Sequence, residues 1–137
     1  MGPVATRRVL IAEDDRAIQM IVAEYLRAEG FDVDVADNGA EALERARQML
    51  PAVAIVDMFM PVMDGHQLLA VWSQDRTLNR VPVIVVSAAA DLRQVAMRYA
   101  PDTVRATLAK PFDLDELGAL VAATLRGPAP TERGATG

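Results

Sequence analysis

The side chains best suited to chemistry in this sequence are Asp14 and Asp15, Asp57, Ser87 and Lys110, and each stands at the end of a short apolar run. Two adjacent carboxylates and a third from elsewhere make an oxygen-rich cluster suited to Mg²⁺, a hard cation that takes carboxylates, carbonyls and waters. Without a cation such a cluster repels itself. Asp57 is the natural nucleophile, because the most apolar run of the chain, residues 52–56, leads directly into it. A carboxylate held in place there loses little entropy on in-line attack. Lys110 is the only lysine, every other basic residue being arginine, and its ammonium can pair with Asp57 or with a phosphoryl oxygen. Ser87 offers a hydroxyl donor to another such oxygen, and the following residue, Ala88, a backbone N–H.

Taken singly, these residues have plainer readings. Asp14 and Asp15 stand where a helix begins, and acidic groups favour that end of the helix dipole. Ser87 alone reads as a turn residue and Lys110 alone as a surface lysine. Asp57 resists such a reading, since a carboxylate after a wholly apolar strand is costly if unpaired. What singles the set out is that all of its members fall at strand ends. His66 has no companion ligand nearby in sequence and reads as solvent-facing; Met58, Met60 and Met63 read as loop packing, and Trp72 as core or its edge.

The elements that must position the set follow from periodicity. Val9-Leu10-Ile11-Ala12 is an uninterrupted apolar run, the pattern of a strand buried on both faces. Ile18, Ile21, Val22, Tyr25 and Leu26 recur at helical spacing, predicting a helix over 15–29 with Gly30 as its stop. Residues 31–36 alternate with period two, as expected nearer a sheet edge. Asn38 then caps a helix, with Glu41 placed for a capping box, and Pro51 ends it. The central strand into Asp57 follows, then a Pro- and Gly-rich loop, a helix over about 65–75, and a polar connection from Thr77 to Arg80. A strand over 81–86 ends at Ser87, a helix spans 91–100, a fifth strand over 104–109 ends at Lys110, and Asp113 caps a last helix. Five strands alternating with five helices predict an α/β doubly wound parallel sheet with helices on both faces. Ligands of such sheets sit beyond the carboxyl ends of the strands, where the candidate residues fall.

A chain of 137 residues, 52% apolar and 24% charged, fits one globular domain. The expected organisation is a flexible N-terminus over 1–6, a folded domain over 7–126 and a flexible tail or linker stump over 127–137. A formal charge of -5 argues against direct nucleic-acid binding. The absence of cysteine removes disulfides and thiolate chemistry and suits a cytoplasmic setting. The single histidine excludes a multi-histidine metal centre, and no apolar stretch is long enough for membrane insertion.

Val9-Leu10-Ile11-Ala12-Glu13-Asp14-Asp15, the loop Asp57-Met58-Phe59-Met60-Pro61-Val62-Met63-Asp64-Gly65, Val83-Ile84-Val85-Val86-Ser87-Ala88 and Lys110-Pro111-Phe112 together resemble the receiver domain of bacterial two-component response regulators, over about residues 7–126. The resemblance implies a flavodoxin-like sheet in the order 2-1-3-4-5. It implies Asp57 as phosphoacceptor, Mg²⁺ held by Asp14, Asp15, Asp57 and the backbone carbonyl of Phe59, and phosphoryl binding by Ser87, Ala88 and Lys110. It further implies a phosphoprotein of a two-component system or phosphorelay, loaded by a sensor histidine kinase or histidine phosphotransfer protein and acting on an output protein, without turnover enzymology. The kinase-contacting region it implies is residues 16–26 and the loop before the last helix; the output face is the fourth helix, fifth strand and fifth helix. Three departures stand out. Thr107 replaces the usual aromatic switch partner of Ser87, which opens the alternative of a non-switching interaction module. Tyr99-Ala100-Pro101-Asp102 replaces an Ala-Gly turn, and Phe59 and Ala89, flanking the site, cannot orient water, predicting slow self-dephosphorylation.

Overall fold

The computed structural model describes residues 7–99 and 101–126. The expectations for 1–6 and 127–137, and for Ala100 in the turn before the fifth strand, lie outside the described residues. The strands are β1 (Arg8–Ala12), β2 (Asp32–Ala36), β3 (Val53–Asp57), β4 (Val83–Ser87) and β5 (Val104–Ala109). The helices are α1 (Arg16–Ala28), α2 (Gly39–Gln48), α3 (Gly65–Gln74), α4 (Ala89–Tyr99) and α5 (Leu114–Leu125). All strand pairs are parallel and the order is β2-β1-β3-β4-β5. The expected doubly wound, flavodoxin-like sheet is thus the one observed.

The uniform apolar runs are explained by the two cores they feed. Successive strand residues point to opposite faces. Val9, Ile11, Val53, Ile55, Ile84 and Val86 pack with Val22 and Leu26 of α1 and with Leu117 and Val121 of α5. Leu10, Ala12, Ala54, Val56, Val83 and Val85 pack on the other side with Leu43 of α2, Leu68, Leu69 and Trp72 of α3, and Val95 of α4. β3 and β4 are buried at every position, whereas the edge strand β2 is mostly half-buried, as its alternating sequence foretells.

Helix starts follow their caps. Asp15 accepts hydrogen bonds from the N–H groups of Ala17 and Ile18, and Gly30, at φ 98°, closes the turn after α1. Asn38 accepts from Glu41 N–H, but the reciprocal bond closes one residue early, with Asp37 N–H donating to Glu41 Oε1 at 2.6 Å. The complete capping box is instead at α3, where Asp64 and Gln67 exchange bonds. The connection from Thr77 contains a single 3-10 turn, Leu78–Arg80, because Leu78 is drawn into the core and Asp75 accepts from its N–H and from that of Thr77.

Trp72 lies wholly inside the α3 core and its indole N–H donates to the Val81 carbonyl at 3.1 Å. Trp72→Ala is expected to lower stability by about 3–5 kcal/mol, read as a fall in the urea midpoint. Trp72→Phe, which keeps most of the ring but orphans that carbonyl, should lose about 1 kcal/mol or somewhat more.

Candidate functional site

Parallel strands in register deliver the ends of β1, β3, β4 and β5 to one edge. Ala12 pairs with Val56, Asp57 with Val86, and Ser87 with Ala109. The residue following β1 is therefore beside the last residue of β3, which is beside the residue before the last of β4, with Lys110 following β5. Lys110 N–H donates to the Ser87 carbonyl at 2.8 Å, extending the β4–β5 ladder to the lysine.

The Lys110 ammonium donates to Glu13 Oε1 at 3.1 Å and to Asp57 Oδ2 at 3.3 Å. Phe59 N–H lies 3.4 Å from Asp57 Oδ1 and donates to it, which sets the Phe59 backbone against the carboxylate. Carboxylate oxygens of Glu13, Asp14 and Asp57 lie within 4.8 Å of one another, Glu13 and Asp57 being buried and Asp14 exposed. Three acids of this kind, one of them open to solvent, suit a divalent cation with some of its waters retained.

Asp15 was expected among the cation ligands, and the structure places it elsewhere. It turns back as the α1 cap, its Oδ1 accepting from the N–H groups of Ala17 and Ile18 at 3.0 and 3.1 Å. Glu13 takes its place in the cluster. The physical reason is the phase of the chain leaving β1: Glu13 is the first residue past the strand and points inward, and Asp15 is the residue at which the helix begins. Sequence reasoning passed over Glu13 although it belongs to the same acidic triplet; the capping rule, applied to the residue preceding Arg16, assigns Asp15 to the helix and leaves Glu13 and Asp14 for the edge.

Ser87 Oγ is buried without a hydrogen-bond partner. An orphaned hydroxyl is costly, and a phosphoryl oxygen is the kind of acceptor it lacks. Ala88 follows it, exposed, at the entrance to α4. Thr107 is half-buried and pairs with Val85, two residues before Ser87 and on the same sheet face. His66 is exposed, as expected for a residue outside the site; Met58 and Met60 are buried in the core.

The loop after Asp57 is held by close backbone approaches. A side chain on Gly65 would bring its Cβ within 2.6 Å of Met58 Cα and 2.8 Å of the Asp57 carbonyl oxygen. Val62 adopts φ 69°, a left-handed conformation unfavourable for a β-branched residue. Met63 O, one residue on, accepts from Gly39 N–H at 2.8 Å, anchoring the loop to α2.

Burial, followed by the charge of Asp57, pushes the Glu13 carboxyl up from 4.5 to about 7, against the lowering effect of Asp15 N–H and Lys110. For Lys110, burial alone would lower the ammonium's pKa, but Glu13 and Asp57 outweigh it and the result is raised. Between pH 4.5 and about 7 the folded protein binds a proton on Glu13 that the unfolded chain does not. Stability in cation-free buffer therefore contains a contribution that increases as pH falls from about 7 toward 4.5. Glu13→Gln is expected to flatten this segment of the stability profile, measured by urea unfolding with chelator present; an unchanged slope would contradict the assignment.

The sequence profile of the response regulator receiver domain matches residues 9–122. The chain is 39% identical over 136 residues to the transcriptional regulatory protein PrrA of Mycobacterium leprae, covering 97% of this chain and 54% of that protein. It spans about half the length of the curated relatives it matches. Among solved structures it resembles a putative response regulator from Chloroflexus aurantiacus, with TM-score 0.79, 28% identity, and coverage of 88% of this chain and 98% of that one. It also resembles the receiver domain of the Francisella response regulator 1452, with TM-score 0.77, 31% identity, and coverage of 87% and 96%. With the parallel sheet in this order and three acids gathered beside a lysine at its carboxyl edge, the chain belongs to the response regulator receiver domain family.

Proposed function

We propose that the chain is a phosphoacceptor switch of a two-component or phosphorelay system, loaded on Asp57 with Mg²⁺ as cofactor. The observation that carries this reading is the meeting of Glu13, Asp14 and Asp57 at one strand edge, with Lys110 Nζ 3.3 Å from Asp57. The donor is a phosphohistidine on a sensor histidine kinase or histidine phosphotransfer protein. The Asp57 carboxylate attacks phosphorus, the P–N bond breaks, and its electron pair returns to the imidazole, which takes up a proton. Mg²⁺, when bound, neutralises phosphoryl oxygens and orients the donor. Glu13, Asp14, Asp57 and the Phe59 carbonyl would hold it. Lys110 then exchanges its contact with Asp57 for a phosphoryl oxygen, and Ser87 Oγ, with Ala88 N–H, donates to another. That gives the buried hydroxyl its missing partner, a difference in contacts that can shift a two-state equilibrium.

The proposed output is protein contact through α4, β5 and α5. No helix among the described residues is long and apolar enough to cross a membrane, and we place the chain in the cytoplasm. A second reading, a receiver fold used for binding without switching, is favoured by Thr107, whose small side chain cannot gate the α4–β5 surface as a ring does. The two readings differ in whether phosphorylation perturbs backbone amides of α4 and β5.

Incubation with Mg²⁺ and acetyl phosphate or phosphoramidate should add the mass of a single HPO₃ group to the wild type. Asp57→Ala, or chelation of the metal, should abolish the addition. No addition with either donor would favour the binding-only reading. The Phe59 side chain is 60% exposed and has no group to orient water. The phosphorylated form should accordingly persist for minutes to hours or longer, and Phe59→Asn should shorten its life. A wild-type half-life of seconds would overturn this.

A further inference from the structure

We infer that Gln19 is a positioning residue for the acidic loop: its buried carboxamide pins the Glu13 peptide so that Glu13 and Asp14 face Asp57 in cation-binding geometry. The inference rests on the proposed reading of that edge as a Mg²⁺-dependent phosphoacceptor centre.

Gln19 lies on the inward face of α1, where an aliphatic side chain would ordinarily serve, and is buried. Its Nε2 donates its two hydrogens to the Glu13 carbonyl at 2.9 Å and to Asp37 Oδ1 at 3.0 Å, with the Ala36 carbonyl a longer, shared acceptor at 3.3 Å. The amide thus joins three segments, the β1–α1 loop, the end of β2 and the start of the β2–α2 loop. Glu13 is held at every polar atom. Its N–H donates to Ala36 O at 3.0 Å, its carbonyl accepts from Gln19, Oε2 accepts from Asp15 N–H at 3.1 Å and Oε1 from Lys110. Of these, the Gln19 bond is the one that comes from a helix side chain packed in the core. Its rotamer is therefore fixed by packing rather than by the site's own charges.

The electrostatics show why a neutral amide suits this position. Glu13, Asp14 and Asp57 repel one another and push the β1–α1 loop away from β3. A second ammonium beside Lys110 would relieve the repulsion but would also compete with the cation for the same oxygens. Gln19 resists the outward push through a backbone carbonyl and makes no contact with the Glu13 carboxylate oxygens that face the cluster. The far side of the tether is the Gln19 bond to Asp37. The Asp37 carboxyl is held below its usual range first by the Gln19 hydrogen bond and then by Arg16, whose guanidinium lies 3.0 Å away. Outer partners of this kind set metal affinity through the orientation of the residues they hold.

The test is a calorimetric titration of MgCl₂ into wild type, Gln19→Met, Gln19→Glu and Arg16→Ala, with a thermal melt of each variant in chelator. Gln19→Met keeps the length and loses the donors. It should bind Mg²⁺ on the order of 10-fold more weakly, and at saturating Mg²⁺ its phosphorylation rate with acetyl phosphate should return toward that of wild type. Gln19→Glu, which turns an acceptor on the Glu13 and Ala36 carbonyls, should bind at least as weakly. Arg16→Ala, which removes only the exposed pair to Asp37, should bind as wild type does. A lowered melting temperature in Gln19→Met with unchanged Mg²⁺ affinity would overturn the inference and leave Gln19 a structural residue. Should the variants fail to fold, the side-chain amide resonances of Gln19 in ¹⁵N-labelled wild type serve instead. They should be protected from solvent and shift on Mg²⁺ addition, and resonances that exchange freely or stay unmoved would overturn it. Absence of Mg²⁺ binding by the wild type would overturn the parent reading of the site itself.

Discussion

The interaction on which the site depends is the contact of one ammonium with two buried carboxylates. Lys110 sits 3.1 Å from Glu13 and 3.3 Å from Asp57, and both acids are taken largely out of water. An unpaired buried carboxylate carries a desolvation penalty of several kcal/mol, and the lysine offsets part of it for both acids. The arrangement is also incomplete, since three acids share one cation and one of them, Asp14, faces solvent. The surplus negative charge makes the edge receptive to a further positive charge, and the lone, orphaned hydroxyl of Ser87 makes it receptive to an acceptor.

The rest of the fold holds this unbalanced group in place. Parallel register aligns the ends of β1, β3, β4 and β5, and the cores on the two faces keep those strands from sliding. Around the edge the chain gives up local comfort. Val62 takes a left-handed conformation that costs a non-glycine residue roughly 1–2 kcal/mol, and Gly65 lets the backbone pass against Met58 and the Asp57 carbonyl. Backbone strain of this kind persists only where surrounding structure over-determines it. Here the bonds from Gly39 N–H to Met63 O and from Gly65 N–H to Met58 O do so.

The buried face of α1 meets two demands. Val22, Ala23 and Leu26 are ordinary core residues, whereas Gln19, one turn from the helix start, brings a polar group into the same buried stripe. Farther along, the Tyr25 hydroxyl donates to Asp115 Oδ1 at 2.7 Å, tying α1 to α5 across the face that covers β1 and β3. That close approach is possible because Gly118 lacks the Cβ that would meet the Tyr25 ring at 2.9 Å. The helix beside the acidic loop is thereby fixed at both ends.

Most of this architecture was legible in the order of residues. The apolar runs ending at Ala12, Val56 and Val86 are strands because nothing polar interrupts them, and they read as central because both faces are apolar. Asn38 and Asp113 announced their helices through local hydrogen bonding, which needs no distant partner. Asp57, Ser87 and Lys110 stood out as polar groups at the ends of buried strands, a position that demands a reason. What the order of residues left undecided is what depends on direction in space. Whether Glu13 or Asp15 joins the cluster turns on the phase at which the chain leaves β1 and enters α1. The capping rule assigns Asp15 to the helix only once the helix start is placed at Arg16, and the composition of the triplet does not place it. Gln19 was likewise invisible, because a glutamine on a helix becomes a tether only when packing buries it against carbonyls 6 and 17 residues away in sequence. Local periodicity determines elements and their ends; only the tertiary structure decides which polar atoms meet, because those contacts are set by how separate elements pack and not by the neighbours of each residue along the chain.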